Sequence, residues 1–360
     1  MPIDFKVFVL GAGASYGDTL CPMGKTDGDQ NRVPLIDGFF AAEFLNGSLP
    51  EIQTTYEPLL TRIRELWNIR DPFGSGMWAK LNLEEVFSFF SIENEFFPVD
   101  SDEKAQSQLL VNALKRYIER VIATASYEKY GKCSRLLRER LAVNDTIISF
   151  NYDLLLDQEL STATQYSNFK SILLEEPTLG DGTRIFSGDD PGLYLKMHGS
   201  LNWFVCTSDG CPHSTTLDID LEKRSYRPAL SGGNFICERC KGPMTSFIIP
   251  PLLNKPIIKS PLLRTIWSNA RNELSHAREI VIVGYSFPPS DFHATWLFRS
   301  ASQGAARLDR IWIVNPLNDP AHQDHKAFKD RLESIFSGVH LDMRYFRFDQ
   351  IKDVLDEMKS

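Results

Sequence analysis

The sequence has no apolar run that approaches the roughly 20 residues of a membrane-spanning helix. Its first residues, MPIDFKVFVLGAGAS, have no basic segment ahead of a long apolar one, so no secretory signal is expected there. Positive charge is not in excess either, since the formal net charge is −8. This charge argues against a broad, non-specific nucleic-acid surface. We therefore expect a cytoplasmic protein that neither enters a membrane nor binds nucleic acid directly.

Cysteine is scarce, with six residues in 360, and in a cytoplasmic protein cysteines indicate metal binding or free thiols before disulfides. Four of them form two close pairs, Cys206-x4-Cys211 and Cys237-x2-Cys240. Pairs at such spacings can hold zinc tetrahedrally through four thiolates. The alternatives are cysteines without a metal, or a site in which His213 replaces one of them. A full set of four ligands leaves no open position, so this zinc would be structural.

Internal repeats and low-complexity segments are absent, which leaves the apolar runs as the main guide to the fold. Five short runs recur at wide intervals: KVFVL (6–10), TIISF (146–150), LYLKM (193–197), EIVIVG (279–284) and RIWIVN (310–315). Because they do not alternate with polar residues, they predict strands buried on both faces. Helical periodicity between them predicts a doubly wound, Rossmann-like α/β sheet. A more alternating run at 341–348 predicts an edge strand.

Residues 51–141 interrupt this rhythm, because they have helical periodicity and almost no strand pattern. We interpret the segment as a helical insertion or lid, with helices that simply cover one sheet face as the alternative for part of it. The predicted Rossmann-like core then comprises residues 1–50 and 142–360. Residues 203–245 form a predicted zinc-ribbon module inserted in that core.

The first predicted strand runs directly into the glycine-rich segment GAGASYG (11–17). A dinucleotide-binding fingerprint would place its third glycine at position 16, where Tyr16 stands. On its own the segment is therefore equally consistent with a nucleotide-binding loop and with a plain strand–turn–helix junction.

Polar or small residues also follow the other predicted strands. They are Asn151 and Asp153 after the second, His198 after the third, GYS (284–286) after the fourth and Asn315 at the end of the fifth. A histidine in such a place suits general base catalysis, although a lone histidine is more often structural. Because ligands of open α/β sheets bind outside the carboxyl ends of the strands, this convergence predicts a ligand site.

These elements, in their order along the chain, resemble the sirtuin family. GAGAS, SFNYD (149–153), HG (198–199), the cysteine pairs, GYS and VN (314–315) are similar to that family's G-A-G-x-S loop, Q-N-x-D motif, catalytic H-G, zinc ribbon, G-T-S turn and late asparagine. NYDLLL, KMHGSLNW and GYSFPPSD look like the divergent bacterial sirtuin-like proteins associated with anti-phage defence. The resemblance implies a sirtuin-like fold, NAD as the substrate and a structural Zn²⁺.

The resemblance also implies roles for individual residues. The phosphate and ribose contacts of NAD correspond to Gly11, Ala12, Gly13, Ser15, Gly284, Ser286 and Asn315. Asn151 and Asp153 match the pair that faces the nicotinamide ribose, where Asn151 could hold a water beneath the anomeric carbon. His198 matches the residue that contacts the ribose hydroxyls and acts as the base.

Two segments depart from the pattern of protein-deacylating sirtuins. The glycine loop is not followed by G-I-P-x-F-R, and SFIIPPLLNKP stands where those enzymes have an F-G-E segment that pairs with the acyl peptide. Paired prolines cannot donate ladder hydrogen bonds, so a peptide strand would dock poorly there. We therefore expect an NAD glycohydrolase, with an NAD-dependent protein deacylase and a non-catalytic NAD or nucleotide sensor as the alternatives.

The resemblance further implies an NAD-depleting effector of bacterial anti-phage defence. Such proteins act as oligomers or with a separate sensor or ATPase, and we expect a homo-oligomer here. The sequence has no G-x-x-x-x-G-K-[ST] motif, so an ATPase would be a separate partner. Hydrolysis and cyclisation of NAD both stay open, because the product depends on which nucleophile reaches the anomeric carbon.

Overall fold

The structure is a computed structural model. It describes residues 6–20, 32–41, 44, 51–126, 131–142, 144–161, 192–208, 210–211, 218–219, 236–249, 261–304 and 308–358. His213 and the paired prolines at 250–251 lie outside the described residues.

The centre of the fold is a sheet of six parallel strands. They are β1 (Lys6–Leu10), β2 (Thr146–Ser149), β3 (Tyr194–Lys196), β7 (Glu279–Val283), β8 (Arg310–Val314) and β9 (His340–Tyr345). Their order is β3-β2-β1-β7-β8-β9, and every neighbouring pair is parallel. The predicted Rossmann-like fold class is confirmed, and the alternating last strand lies at the edge of the sheet as predicted.

Alternate residues of the inner strands enter two different apolar cores, one on each face of the sheet. Val7 and Val9 pack into the first core, whereas Phe8 and Leu10 pack into the second. The first core includes residues of α8 (Pro261–His276), α9 (Phe292–Gly304) and α10 (His325–Ile335). The second includes residues of α1 (Ala12–Leu20), α6 (Lys132–Arg140), α7 (Leu155–Ser161) and α11 (Ile351–Glu357). Helices therefore cover both faces, and the sheet is doubly wound.

A third core belongs to a group of helices that the periodicity predicted. The group comprises α3 (Glu57–Leu66), α4 (Leu83–Phe96) and α5 (Asp102–Ser126); the short α2 (Glu51–Thr55) precedes them and contributes no described residue to this core. The side chain of Asn82 caps α4 by accepting hydrogen bonds from two amides of its first turn. Leu201 and Ile248, from a second sheet, complete this core. By contrast, buried residues of α6 belong to the second core of the central sheet.

The second sheet is antiparallel and connects the central sheet to the cysteines. It contains β4 (Gly199–Cys206), β5 (Asp218–Ile219) and β6 (Met244–Ile248) in the order β5-β4-β6. Sequence patterning did not predict β4, because its residues GSLNWFVC mix small, polar and apolar types without a clear period. The strand begins directly after His198, so one short segment links that residue to the cysteine pairs. Among the described helices, none has the length and apolarity needed to cross a membrane.

Candidate active site

The predicted site residues meet at the carboxyl edge of the central sheet. Gly11 follows β1, Gly284 follows β7 and Asn315 follows β8, while Asn151 and His198 lie just beyond the ends of β2 and β3. The chain leaves β1 toward β2 on one side, and β7 lies on the other side of β1. The crevice beside β1 is therefore the topological switch point, where open α/β sheets bind their ligands.

The glycine loop packs against the end of β7 backbone to backbone. The Gly13 amide donates to the carbonyl oxygen of Gly284 at 2.9 Å. A Cβ atom on Gly11 would lie 2.5 Å from the Cα atom of Tyr285, and a Cβ atom on Gly13 would lie 2.8 Å from that of Gly284. Only glycine fits at these positions, which brings the loop to the switch point.

A substitution at Gly284 tests this packing. Its φ is +65°, and an added Cβ atom would lie 2.2 Å from the amide nitrogen of Ala14. We expect Gly284→Ala to lower the free energy of unfolding by roughly 3 kcal/mol or more, because backbone strain and overpacking add. The matched control is Gly338→Ala, since Gly338 has φ +83° with nothing within 4 Å of an added Cβ atom. Chemical denaturation measures both variants, and equal losses would contradict the packing account.

Four predicted site residues form one hydrogen-bond network. The Asn151 Nδ2 atom donates to the Gly11 carbonyl oxygen at 3.0 Å and to the Ser15 Oγ atom at 2.8 Å. The Ser15 hydroxyl in turn donates to Asp153 Oδ2 at 2.6 Å. With Nδ2 held toward the loop, Asn151 Oδ1 is the atom that can accept a hydrogen bond from a water or a ribose hydroxyl.

Asp153 anchors this network from inside the protein. Burial raises the pKa of its carboxyl group, against the opposing effects of the Lys196 charge and the Ser15 hydrogen bond. The buried Lys196 ammonium donates to the Asp153 carbonyl oxygen at 2.7 Å and pairs with Asp157 at 3.0 Å. Asp153 therefore orients Ser15 and, through it, Asn151.

A second buried carboxylate, Asp18, lies below the loop. Together with Asp153 it lines a cavity of about 10 Å³, which is room for about one water molecule. Its oxygens accept hydrogen bonds from the Cys133 and Ser134 amides at 2.6 and 3.1 Å, which ties α1 to the start of α6. Burial raises the pKa of Asp18 to about 7, against the lowering effect of its hydrogen bonds with Ser134 and Cys133.

This pKa predicts a pH-dependent stability. The folded value of about 7 lies above the ordinary 3.8, so the native state binds the proton more tightly and loses that stabilisation as the pH rises through 7. Asparagine does not titrate. We therefore expect the melting temperature of Asp18→Asn, relative to that of wild type, to rise as the pH increases from about 5 to about 8. Asp330→Asn, exposed on α10, should follow the wild-type curve. A constant offset between Asp18→Asn and wild type would contradict the assignment.

His198 is buried among aromatic rings. Its ring centroid lies 5.2 Å from that of Phe150, 6.1 Å from that of Tyr152 and 6.4 Å from that of Trp267. The Asp291 carboxylate faces it, with Oδ2 at 3.9 Å from Nε2. An imidazole in this setting can exchange a proton at one nitrogen while a carboxylate lies near the other.

The turn after β7 is held from two sides. The Arg331 guanidinium donates to the carbonyl oxygens of Ser286 and Phe287, each at 3.0 Å. Asn315 Nδ2 donates to the Tyr285 carbonyl oxygen at 3.3 Å, and its Oδ1 accepts from the Leu317 amide at 3.0 Å. Both polar atoms of the Asn315 side chain are thus engaged within the protein in this structure.

The four predicted metal ligands come together where β4 ends and β6 begins. Their Sγ atoms all lie within 4.8 Å of one another. The distance is 3.4 Å between Cys206 and Cys240, and 3.9 Å between Cys211 and Cys237. Tetrahedral zinc with Zn–S bonds of about 2.3 Å separates its sulfurs by about 3.8 Å, so this donor set fits Zn²⁺.

Backbone amides donate hydrogen bonds to two of these sulfurs, and for Cys240 they favour the thiolate form. The Ser208 amide donates to Cys206 Sγ at 3.4 Å, and the Gly242 amide donates to Cys240 Sγ at 3.3 Å. Hydrogen bonds from the Ser208 side chain and the Gly242 amide lower the pKa of Cys240 to about 6. Since zinc binds thiolates, the cluster is consistent with a closed, structural zinc site.

Sequence reasoning did not single out Asp18, Asp291 or Arg331, which all contact the site. Their partners are distant in sequence, so no local spacing marks them. For Asp291 a signal existed: an aspartate directly before a helical pattern is a typical N-cap, and it ends the GYSFPPSD segment.

Comparisons with known proteins found only distant structural likenesses. No family model matches the sequence, and no curated protein is similar to it. Solved structures with a distant likeness include a sirtuin from work on substrate affinity (12% identity, TM-score 0.38), one from work on the mechanism and regulation of Sir2 enzymes (14%, 0.39) and a complex of Sir2, p53 peptide and NAD⁺ (12%, 0.36). Each match covers 99% of this chain and 92 or 93% of the other. At these scores the likeness assigns neither a family nor an activity. The fold and site define a doubly wound α/β protein with polar residues at the carboxyl edge of its sheet, beside the switch point, and a four-cysteine cluster.

Proposed function

We propose that the protein is an NAD glycohydrolase, which cleaves the nicotinamide–ribose bond of NAD with water. The observation that carries the proposal is the meeting of Asn151, His198 and the glycine loop at one edge of the sheet, beside the switch point. The resemblance of the same segments to sirtuin motifs supports NAD as the substrate.

The proposed cradle for the NAD phosphates is the segment from Gly11 to Ser15. The helix α1 begins at Ala12, and the positive end of a helix favours an anion. The glycines allow the loop to pack closely on Gly284, and this packing holds the loop backbone at the switch point. Gly284, Ser286 and Asn315 would lie on the adenosine side.

The proposed chemistry takes place between Asn151 and His198. As the bond from the ribose anomeric carbon to nicotinamide breaks, positive charge develops on the sugar, and a water must stand ready to form the new C–O bond. Asn151 Oδ1 would hold this water, and His198 would accept a proton and later release it to solvent. The products are nicotinamide and ADP-ribose.

The cysteine cluster has a structural part in this proposal. A Zn²⁺ held by Cys206, Cys211, Cys237 and Cys240 would fix the ends of β4 and β6, and it would supply no catalytic step. Because β4 starts at Gly199, next to His198, its anchoring also keeps the proposed base in place.

The test uses the purified protein in excess over NAD, so that even slow turnover is detected by chromatography. Hydrolysis predicts one ADP-ribose per nicotinamide released, with no peptide present. A deacylase would release nicotinamide only when an acyl-lysine peptide is added, in equal amounts with deacylated peptide. NAD binding without any cleavage would instead indicate a sensor. The last two results contradict the proposal.

The resemblance to defence proteins supports the biological part of the proposal. We propose a cytoplasmic effector of bacterial anti-phage defence that depletes NAD, acts as a homo-oligomer and responds to a separate sensor or ATPase partner.

A further inference from the structure

Asp291 is a buried carboxylate that caps α9 and faces two parts of the proposed site, Tyr285 and His198. It directly precedes α9, and its Oδ1 accepts a hydrogen bond from the Ala294 amide at 3.2 Å, which caps that helix. Its Oδ2 accepts a hydrogen bond from the Tyr285 hydroxyl at 2.8 Å. The same Oδ2 atom lies 3.9 Å from Nε2 of His198.

The surroundings strengthen the interaction between Asp291 and His198. The two residues are only 4% and 7% exposed, and the rings of Phe150 and Tyr152 pack beside the imidazole. At 3.9 Å the two groups are within the range of an ion pair, and charges interact more strongly in such a buried setting than in water. A nearby carboxylate favours the protonated, cationic form of a histidine.

We infer that Asp291 is a positioning residue for His198, which keeps a proton on Nε2 and stabilises the imidazolium that forms when Nδ1 accepts a proton. The inference rests on the proposed NAD hydrolysis. One proton moves to Nδ1 from the attacking water or a ribose hydroxyl, the Nε2 proton stays directed at Oδ2, and the carboxylate remains ionised. Tyr285 fixes the carboxylate by donating to the same oxygen.

Other titratable groups lie around this pair. Burial raises the pKa of Tyr152 and of Tyr285, so both are neutral. Glu84 of α4 is a second buried carboxylate: its charge acts on both tyrosines, and its Oε2 accepts a hydrogen bond from the Ser290 hydroxyl. On α9, His293 lies with its ring 6.1 Å from that of Trp267. Glu84 is therefore the neighbouring charge against which the role of Asp291 is compared.

Asp291→Asn removes the negative charge at this position and keeps a residue that can cap α9. Asparagine caps helices as well as aspartate does, so the melting temperature should stay close to wild type. Its Oδ1 can accept from the Ala294 amide while its Nδ2 donates to the Tyr285 hydroxyl oxygen. We expect kcat for NAD cleavage to fall about tenfold or more with little change in KM, as part of the roughly 10²–10⁴-fold that a positioned acid–base group contributes.

The pH–rate profile is the readout that a purely structural role would not move. Without the carboxylate the imidazolium is less stable, so the acid limb of the profile should move to lower pH in Asp291→Asn. An NMR titration of the His198 ring should show the same direction without turnover. Glu84→Gln, which keeps the acceptor for Ser290, should move the profile less.

Three outcomes would overturn the inference. If wild type hydrolyses NAD and Asp291→Asn retains its kcat and pH profile, the inference is wrong and the proposed function stands. Equal shifts in Asp291→Asn and Glu84→Gln would assign the effect to the general charge of the cluster. If wild type cleaves no NAD, the proposed function and the inference fail together.

Discussion

Asn151→Ala is expected to lower kcat for NAD cleavage by about 10²-fold or more, because it removes the atom proposed to hold the attacking water. The substitution also removes two hydrogen bonds, of 3.0 Å to the Gly11 carbonyl oxygen and of 2.8 Å to Ser15, which position the loop. Initial rates of nicotinamide release, followed by chromatography, measure the effect. His198→Ala should lose activity to a similar extent, since it removes the proposed base.

The matched control for this experiment is Asn112→Ala, at an exposed position on α5. It should keep the wild-type rate. Calorimetric titration with NAD shows whether Asn151→Ala still binds the substrate, and its melting temperature shows whether the fold is intact. Full activity in a folded Asn151→Ala variant would exclude Asn151 from the chemistry.

Cys237→Ser is expected to lose the bound metal and with it the order of the small antiparallel sheet. Cys237 is fully buried, and its Sγ lies 3.9 Å from that of Cys211. Structural zinc contributes about 10–16 kcal/mol to the folding of small zinc domains, so its loss is one of the largest single effects available to this chain. Because β4 leads back to His198, we expect NAD cleavage to fall as well.

Zinc content by mass spectrometry of the purified protein, together with the melting temperature, checks this prediction. Wild type should contain about one zinc per chain, since four thiolates complete one tetrahedral site. Cys133→Ser is the control, because Cys133 is a buried cysteine on α6 and not a member of the cluster. A Cys237→Ser protein with the zinc content and melting temperature of wild type would contradict the assignment.

The central sheet could be predicted because a strand buried on both faces has an uninterrupted run of apolar residues, which is easily recognised in a short segment. In KVFVL every residue after the lysine is apolar, and the structure sends Val7 and Val9 to one core and Phe8 and Leu10 to the other. The cysteine cluster was predictable for a similar reason, since ligands of one metal ion must recur at short spacings.

The rest depends on contacts that no local pattern records. The strand β4 mixes small, polar and apolar residues without a clear period, and its partner β6 lies about 40 residues further along the chain. Glu84 and Ser290 are 206 residues apart, and Asp18 and Ser134 are 116 apart. Asp291 ends the segment GYSFPPSD, which resembles a segment of sirtuin-like proteins. Only the fold shows that the Asp291 carboxylate faces His198. Roles that arise from tertiary packing are therefore the part that the sequence does not reveal.

The most direct test of the central claim is NAD cleavage in ¹⁸O-labelled water without any peptide. Hydrolysis at the anomeric carbon predicts ADP-ribose that carries one labelled oxygen at that carbon, in equal amount with nicotinamide, and the product should be nearly absent with Asn151→Ala. Unlabelled cyclic product, or no cleavage until an acyl peptide is added, would contradict the account.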